Sequence, residues 1–383
     1  MTVERPRVGI DVSAIPPDPR GAGRYVIELV SALVARGALD LELETRRGDR
    51  DRWAALAPGA GVAGVVPDSR PRRLAWEQLL APRFVDSWGI DVLHCPHYTM
   101  PEVARVPKVV TIHDLTFFDR PDLHERVKVS VFKRAIRVAA HRAQAIVCVS
   151  HATARRLGEL VSPACPVHVI PHGVDTSRFT PQAPAGHDDA DSLARLGVHA
   201  PYVAFLGTLE PRKDVATLVR AFTLLAGEHP DLRLVVAGGR GWANADYEQA
   251  LRRSPVRDRI VETGYVADGD LPALLRGAAA VAYPAIEEGF GLPVLEALAC
   301  GAPVVTTAGS VMEEIAGPAV LTAPAGAPDA LAGALAEAMA GGGAAAGRRA
   351  RGLEVAATHS WNAAAAGHER VYREVAEGAR PRR

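Results

Sequence analysis

The feature that most constrains this chain is a structural grammar that runs twice. Short β-branched runs alternate with helical patterns at Arg7 to Val12, Val109 to Ile112, Ala145 to Val149 and Val167 to Ile170. The alternation restarts at Tyr202 to Leu206 and continues through Leu232 to Ala237, Ile260 to Glu262, Ala279 to Tyr283 and Pro303 to Thr306. Parallel neighbours need a crossover of about a dozen residues or more, usually a helix, so this alternation predicts parallel, doubly wound sheets. The α/β class follows, with two Rossmann-like domains. The length of 383 residues agrees, being too long for one ordinary core and suited to two of roughly 150 to 200 residues.

The expected spans are 1–183 for the first domain, 184–200 for a linker, 201–359 for the second domain and 360–383 for a closing helix. The linker is placed by Pro181 to Asp191, a Pro, Gly, Asp and His segment without periodicity. After Gly21-Ala22-Gly23, the spacing of Val26, Leu29, Val30, Leu33 and Val34 predicts a helix with one apolar stripe. Near the end, Leu331, Leu335 and Met339 predict a small-residue helix, followed by a loose turn at Gly341-Gly342-Gly343 and a last helix from Trp361 through Val375.

Charge and cysteine usage narrow the partners. The formal net charge is zero, which argues against a nucleic-acid partner, because phosphate neutralisation supplies most of that affinity. Local basic clusters, Arg70-Pro71-Arg72-Arg73 and Arg380-Pro381-Arg382-Arg383, read as solvated charge, with peripheral contact to an anionic membrane surface left open. Cys95, Cys148, Cys165 and Cys300 are scattered, without zinc-ligand spacing. A cytoplasmic protein, with peripheral placement at the inner face of a membrane open, is the expectation, since no apolar run approaches the roughly 20 residues of a span.

The most informative stretch runs from Tyr283 through Glu287, Glu288, Gly289, Phe290, Gly291, Leu292 and Pro293 to Glu296 and Gly301. It joins a strand end, a tight glycine loop and a helix start, with Pro293 suited to the first helical position. Free backbone N–H groups at such a start favour phosphate or another anion. Glu296, one turn inside, is an acceptor for vicinal hydroxyls, and Glu288 in the loop is an acceptor for a second polyol. At the end of the second domain's first strand, Gly207-Thr208-Leu209-Glu210-Pro211-Arg212-Lys213 places two cations where ligands of open α/β sheets bind. Such a pair can neutralise a diphosphate.

Three further places carry weaker signals. Gly21-Ala22-Gly23 resembles a dinucleotide loop, but Val26 breaks the third glycine of that fingerprint, so a nicotinamide oxidoreductase is disfavoured. His113, in Thr111-Ile112-His113-Asp114, follows a strand and can donate to or accept from a sugar hydroxyl, with Asp114 as a cap. Asp189-Ala190-Asp191 and Asp268-Gly269-Asp270 have metal-motif spacing, yet the first sits in the expected linker and Asp270 at an N-cap position. No metal ligand and no cofactor is assigned.

In this order and spacing, these residues resemble glycosyltransferase family 4, over nearly the whole chain. Glu288-Gly-Phe-Gly-Leu-Pro-Val-Leu-Glu296 is similar to its Glu-x7-Glu motif, Gly207 to Lys213 to its diphosphate-clamping segment, and Val169-Ile-Pro171-His172-Gly173-Val174-Asp175 to the segment closing its first domain. The resemblance implies the GT-B fold, two Rossmann-like domains facing a central cleft, with the closing helix crossing back to the first. It implies a retaining hexosyltransferase using a nucleotide-diphosphate sugar. Glu288 with the amides of Gly289, Phe290, Gly291 and Leu292 would hold the hexose, Glu296 the ribose, and Arg212 with Lys213 the diphosphate. His113 would touch the sugar, Tyr265 and Val266 would lie beside the base, and Gly21 and Gly23 would face the phosphates and acceptor. Thr208 stands where many members carry Arg, leaving the clamp to Arg212 or mainly to Lys213. The Gly-Thr-Leu-Glu-Pro-Arg-Lys subgroup contains many mannosyltransferases, which favours GDP-mannose over a UDP-sugar. The acceptor is a hydroxyl on a glycan, lipid or small natural product. A sugar phosphorylase-type enzyme on the same fold and a catalytically silent nucleotide-sugar scaffold are the rival readings.

Overall fold

In the computed structural model, residues 5–16 and 21–379 are described. The basic cluster Arg380 to Arg383 lies outside them. The contacts divide the chain into two units, residues 1–173 with 361–383, and residues 174–360.

The first unit carries seven strands: β1 (Arg7–Asp11), β2 (Asp40–Arg46), β3 (Gly61–Val66), β4 (Val92–Cys95), β5 (Lys108–Ile112), β6 (Ala145–Cys148) and β7 (Val167–Val169). Their order is β3-β2-β1-β4-β5-β6-β7, with every pairing parallel. β5 and β6 are buried along their whole length, as expected of strands covered on both faces, β6 being wholly apolar and β5 β-branched after Lys108. The helix predicted after Gly21 spans Ala22–Arg36 and buries Tyr25, Val26, Leu29, Val30 and Leu33. Gly23 belongs to its first turn rather than to a preceding loop.

The second unit carries β8 (Tyr202–Leu206), β9 (Arg233–Ala237), β10 (Ile260–Gly264), β11 (Ala280–Tyr283), β12 (Val304–Thr307) and β13 (Leu321–Ala323). The order β10-β9-β8-β11-β12-β13 is again all parallel. In both sheets the winding reverses between the first and fourth strands. Ligand crevices of doubly wound sheets open at that place, at the carboxyl ends of the strands.

Two expectations are corrected. Residues 184–200 are not a free linker: Asp189–Arg195 is a helix of the second unit, capped by Asp188, whose carboxylate accepts from the Ala190 amide at 2.8 Å. Asp189 there accepts two bonds, at 2.8 and 2.6 Å, from the guanidinium of Arg276. The unit boundary falls earlier, at Gly173 and Val174. The glycine turn at 341–343 is also shorter than read, because Gly342 and Gly343 already open a helix, Gly342–Thr358. Three alanines and the arginines that follow offset the weak helix propensity of those glycines.

The closing helix, Trp361–Ala379, packs in the first unit against Ala22–Arg36. Arg36 donates to both oxygens of Glu369, at 2.7 and 3.1 Å, and to Asn362 at 2.6 Å. Arg373 donates to the carbonyl of Ala38.

Candidate active site

In the second unit the polar groups gather at the reversal between β8 and β11. β8 is followed by a 3-10 turn, Pro211–Lys213, which Pro211 opens and Asp214 closes at φ +49 while accepting from the amide of Thr217 to start the helix Val215–Leu225. This turn aims Arg212 and Lys213 toward the loop after β11, and the Ile286 amide ties the two loops by donating to the carbonyl of Arg212 at 2.8 Å. Glu288 meets both cations: its Oε2 lies 2.9 Å from Arg212 and its Oε1 contacts Lys213. Arg212 also donates to Glu210 at 2.9 Å and to the Glu287 carbonyl at 3.3 Å.

Tyr283, the last residue of β11, completes the cluster. Its hydroxyl donates to Glu288 Oε1 at 3.0 Å and accepts from Lys213, and burial pushes its pKa above the ordinary tyrosine value. Sequence reasoning missed it, although a tyrosine ending a strand just before the glycine loop was a usable signal. Lys213 is 6% exposed. A lysine this deep needs partners, because desolvation of an ammonium exceeds any one hydrogen bond.

The loop then delivers Gly289, Phe290 and Gly291 to the start of the helix Leu292–Ala299. Gly291 has φ +94, and a Cβ there would stand 2.5 Å from Met312 Cγ, so the position requires glycine twice over. Leu292 takes the first helical position and Pro293 the next. Glu296 is 2% exposed, one turn inside. On the neighbouring strands the loops are joined by backbone: Gly207 donates to Ala237, Leu209 to Gly239 and Gly238 to Gly264. A Cβ on Gly238 would lie 1.9 Å from the Gly207 carbonyl oxygen. Beyond this platform Tyr265 is exposed and Val266 buried.

Both Asp-x-Asp candidates are engaged otherwise. Asp189 is held by Arg276, and Asp268 lies 3.8 Å from Arg178. Asp270 stands at the N-cap of Leu271–Arg276 but makes no side-chain cap, and accepts from Arg195 at 2.6 Å instead.

His113 lies in the first unit, at the carboxyl end of β5, so it is described apart from the cation cluster. It is 7% exposed, and its Nε2–H donates to the carbonyl of Pro96 at 2.8 Å. Burial lowers its pKa, so the ring is neutral and the remaining nitrogen, Nδ1, is an acceptor. Asp114 accepts from the amide and hydroxyl of Thr116 two residues on, while the N-cap position of the short helix Thr116–Asp119 falls to Leu115, which makes no side-chain cap. Gly21 precedes the helix Ala22–Arg36 at φ +37.

Around His113 stand rings that the sequence did not single out: Tyr25 at 5.0 Å, Tyr98 at 5.7 Å, His172 at 5.9 Å and His97 at 6.0 Å between centroids. Behind them runs one hydrogen-bonded chain, whose direction its terminal carbonyl dictates. His368 Nδ1–H donates to Ala364 O at 2.8 Å, so its Nε2 accepts from the Tyr25 hydroxyl at 2.9 Å. Tyr25 then accepts from Thr111 at 3.2 Å, Thr111 from His94 Nε2–H at 2.8 Å, and His94 Nδ1 from Tyr372 at 2.7 Å. In this chain each imidazole carries one proton, and its second nitrogen is occupied as an acceptor. Burial accordingly holds His368 down to about 4 and His94 well below the ordinary histidine value. The signal available was the set of histidines at 94, 97, 113 and 172, the first inside β4 and the others one to three residues past a strand end.

Two doubly wound units, with a cation pair, a buried carboxylate and a glycine-fronted helix start at the reversal of the second sheet, define the GT-B class of glycosyltransferases. The profile "Glycosyl transferases group 1" matches residues 195–352 and "Glycosyltransferase Family 4" matches residues 19–178. O-antigen chain mannosyltransferase B of Escherichia coli is 30% identical over 318 residues, covering 79% of this chain and 82% of that protein. D-inositol 3-phosphate glycosyltransferase of Acidothermus cellulolyticus is 30% identical, over 75% and 70% of the two chains. The chain belongs to glycosyltransferase family 4. Among solved structures, sucrose-phosphate synthase from Thermosynechococcus elongatus superposes with a TM-score of 0.78 at 21% identity, covering 98% of this chain and all of that one. Anabaena HepE in complex with UDP and glucose gives 0.76 at 18% identity, over 98% and 99%. The enzyme is therefore a hexosyltransferase acting on nucleotide sugars.

Proposed function

We propose that this enzyme transfers a hexose from GDP-mannose to an acceptor hydroxyl, with retention of configuration and without a metal ion. The observation that carries the reading is Glu288 set between Arg212 and Lys213 in front of a helix start. Those cations and amides suit a diphosphate, which takes over the charges that Glu288 balances and frees its carboxylate for hexose hydroxyls. Glu296 holds the ribose hydroxyls and Tyr265 with Val266 flank the base, while Gly21 and Gly23 face the phosphates and acceptor. The neutral His113 accepts a sugar hydroxyl through Nδ1.

As the glycosidic bond breaks, negative charge grows on the leaving phosphate, where Arg212, Lys213 and the helix start stabilise it. The acceptor attacks from the same face, and its proton passes to that phosphate. Mannose is favoured by the name of the O-antigen relative and by the Gly207 to Lys213 segment. The UDP complexes of HepE keep a UDP-sugar as the second donor to test.

The test is a thermal-shift series with GDP, UDP and their sugars, followed by NMR assignment of the product's anomeric configuration. GDP is expected to raise the melting temperature more than UDP, since a ligand that binds the native state stabilises it by mass action. A larger shift with UDP overturns the donor, and an inverted product overturns the mechanism.

A further inference from the structure

We propose that the first unit docks onto anionic lipid bilayers through one continuous face, formed by the helix Arg70–Leu79, Leu80, the loop at Val103 and the helix Arg126–Arg142. This surface is separate from the cation cluster and does not depend on the donor assignment. Ten large hydrophobic side chains are exposed among the described residues, and six of them fall here, with Leu79 at 72%, Val103 at 69% and Val127 at 75% exposed. Scattered exposed aliphatics are ordinary, whereas a group of them on adjoining elements marks a contact surface.

The side chains between them show that the elements adjoin. Gln78 donates to the carbonyl of Met100 at 2.9 Å and accepts from the amide of Glu102 at 3.4 Å, and Arg134 donates to Glu102 at 2.9 Å. Leu79 adjoins Gln78, Val103 adjoins Glu102, and Val131 lies one turn before Arg134 with Val127 one turn further. An apolar path thus runs from the end of one helix across the loop to the start of the other.

Charge decides the occupant. The helix Arg126–Arg142 carries Arg126, Lys128, Lys133, Arg134, Arg137 and Arg142 and no acidic residue. The helix Arg70–Leu79 carries three arginines and one acid, Glu77, which is buried. A nucleic acid would satisfy the cations but leave the aliphatic side chains in water. A second copy of this face would set cation against cation. A bilayer with anionic headgroups meets both demands, cations at the headgroups and aliphatic side chains at the acyl boundary. No described helix is long and apolar enough to cross a membrane, so the contact lies in the interface plane. The face borders the carboxyl edge of the sheet, since the chain leaves β5 there, past His113, into the helix Arg126–Arg142.

The experiment is flotation of the full chain with vesicles of phosphatidylcholine alone and vesicles rich in phosphatidylglycerol. Wild type is expected to float only with the second, and to be released by salt. Arg72→Glu with Arg126→Glu, and separately Val127→Ser with Val131→Ser, are each expected to weaken binding about tenfold, with melting temperatures near wild type. The serine pair keeps the test valid should charge reversal unfold the chain. Absence of flotation, equal binding to both vesicles, or unchanged binding by both variants overturns the proposal. So does self-association in sedimentation without vesicles that the serine pair abolishes, because the face then meets a second copy.

Discussion

The two units are wound alike, yet they bury opposite kinds of polar group at the same edge of the sheet. In the second, Arg212 and Lys213 are balanced by Glu288 and Glu210, so charge is present and mutually compensated. In the first, His94, His113, His172 and His368 are all held neutral by burial. A compensated cation pair can exchange its carboxylate for a phosphate, whereas neutral rings with fixed donors and acceptors suit uncharged hydroxyls. On the proposed function, the same topology supplies one site for a leaving anion and another for polyols.

The strongest way to break this contrast is to remove the charge. Lys213→Ala and Glu288→Ala are each expected to lower kcat/KM by several orders of magnitude while far-UV circular dichroism stays native, since charge developing on a leaving group is what preorganised cations and dipoles stabilise most. Near-normal turnover in either would dissolve the site. His113→Asn should lose only about tenfold to a hundredfold, the scale of one or two hydrogen bonds. If it equals the Lys213 variant, the division of labour is wrong. Tyr283→Phe removes a hydroxyl that touches both Lys213 and Glu288, and about a tenfold loss of kcat is expected. An intact rate would make that hydroxyl mere packing.

Stability against pH separates the units more gently. A buried imidazole whose pKa is depressed contributes fully above its ordinary 6.5, and the contribution fades as pH falls through the folded value, about 4 for His368. Glu44 and Glu77 act in the other direction. Burial raises them to about 8 and about 7, so their contribution is complete below 4.5 and lost as pH rises through those values. The first unit should therefore be most stable near pH 6.5. In the second, Asp189 and Asp270 are held below 3.8 by Arg276 and Arg195, so its stability persists until pH falls under that value. Hydrogen exchange on Trp361–Ala379 against Val215–Leu225 at pH 5 and pH 7 reads the difference. Equal protection of both helices at pH 5 would remove the contrast. The smallest expected effect is that of a chelator, which should leave transfer unchanged, and recovery on adding Mg²⁺ would overturn the metal-free reading.

Much of the architecture was legible because fully buried strands leave apolar runs, as at Val109 to Ile112 and Tyr202 to Leu206. β2 escaped because Asp-Leu-Glu-Leu-Glu-Thr-Arg alternates acids with apolar residues, and Glu44 is buried although charged by type. β3 is glycine-rich, β13 spans three residues, and β4 hides His94 inside an apolar strand. The two segments that form the cation cluster of the second unit, 207–213 and 283–296, stood out because each is compact in sequence, although folding brings them together across 70 positions. The histidine chain did not, because Tyr25 and His368 are brought together only by folding, 343 positions apart.

The second unit is inserted within the first, interrupting it between Gly173 and Trp361. Domains ordinarily fold in the order in which the ribosome delivers them, but this topology inverts that order. The unit whose synthesis begins first is still missing Tyr372 and His368 when the other is already whole. Its half-built sheet must wait, with His94, Thr111 and Tyr25 in need of solvent or a chaperone. A stop before His368 therefore spares the second unit and ruins the first, whose hydrogen-bonded chain needs His368 and Tyr372.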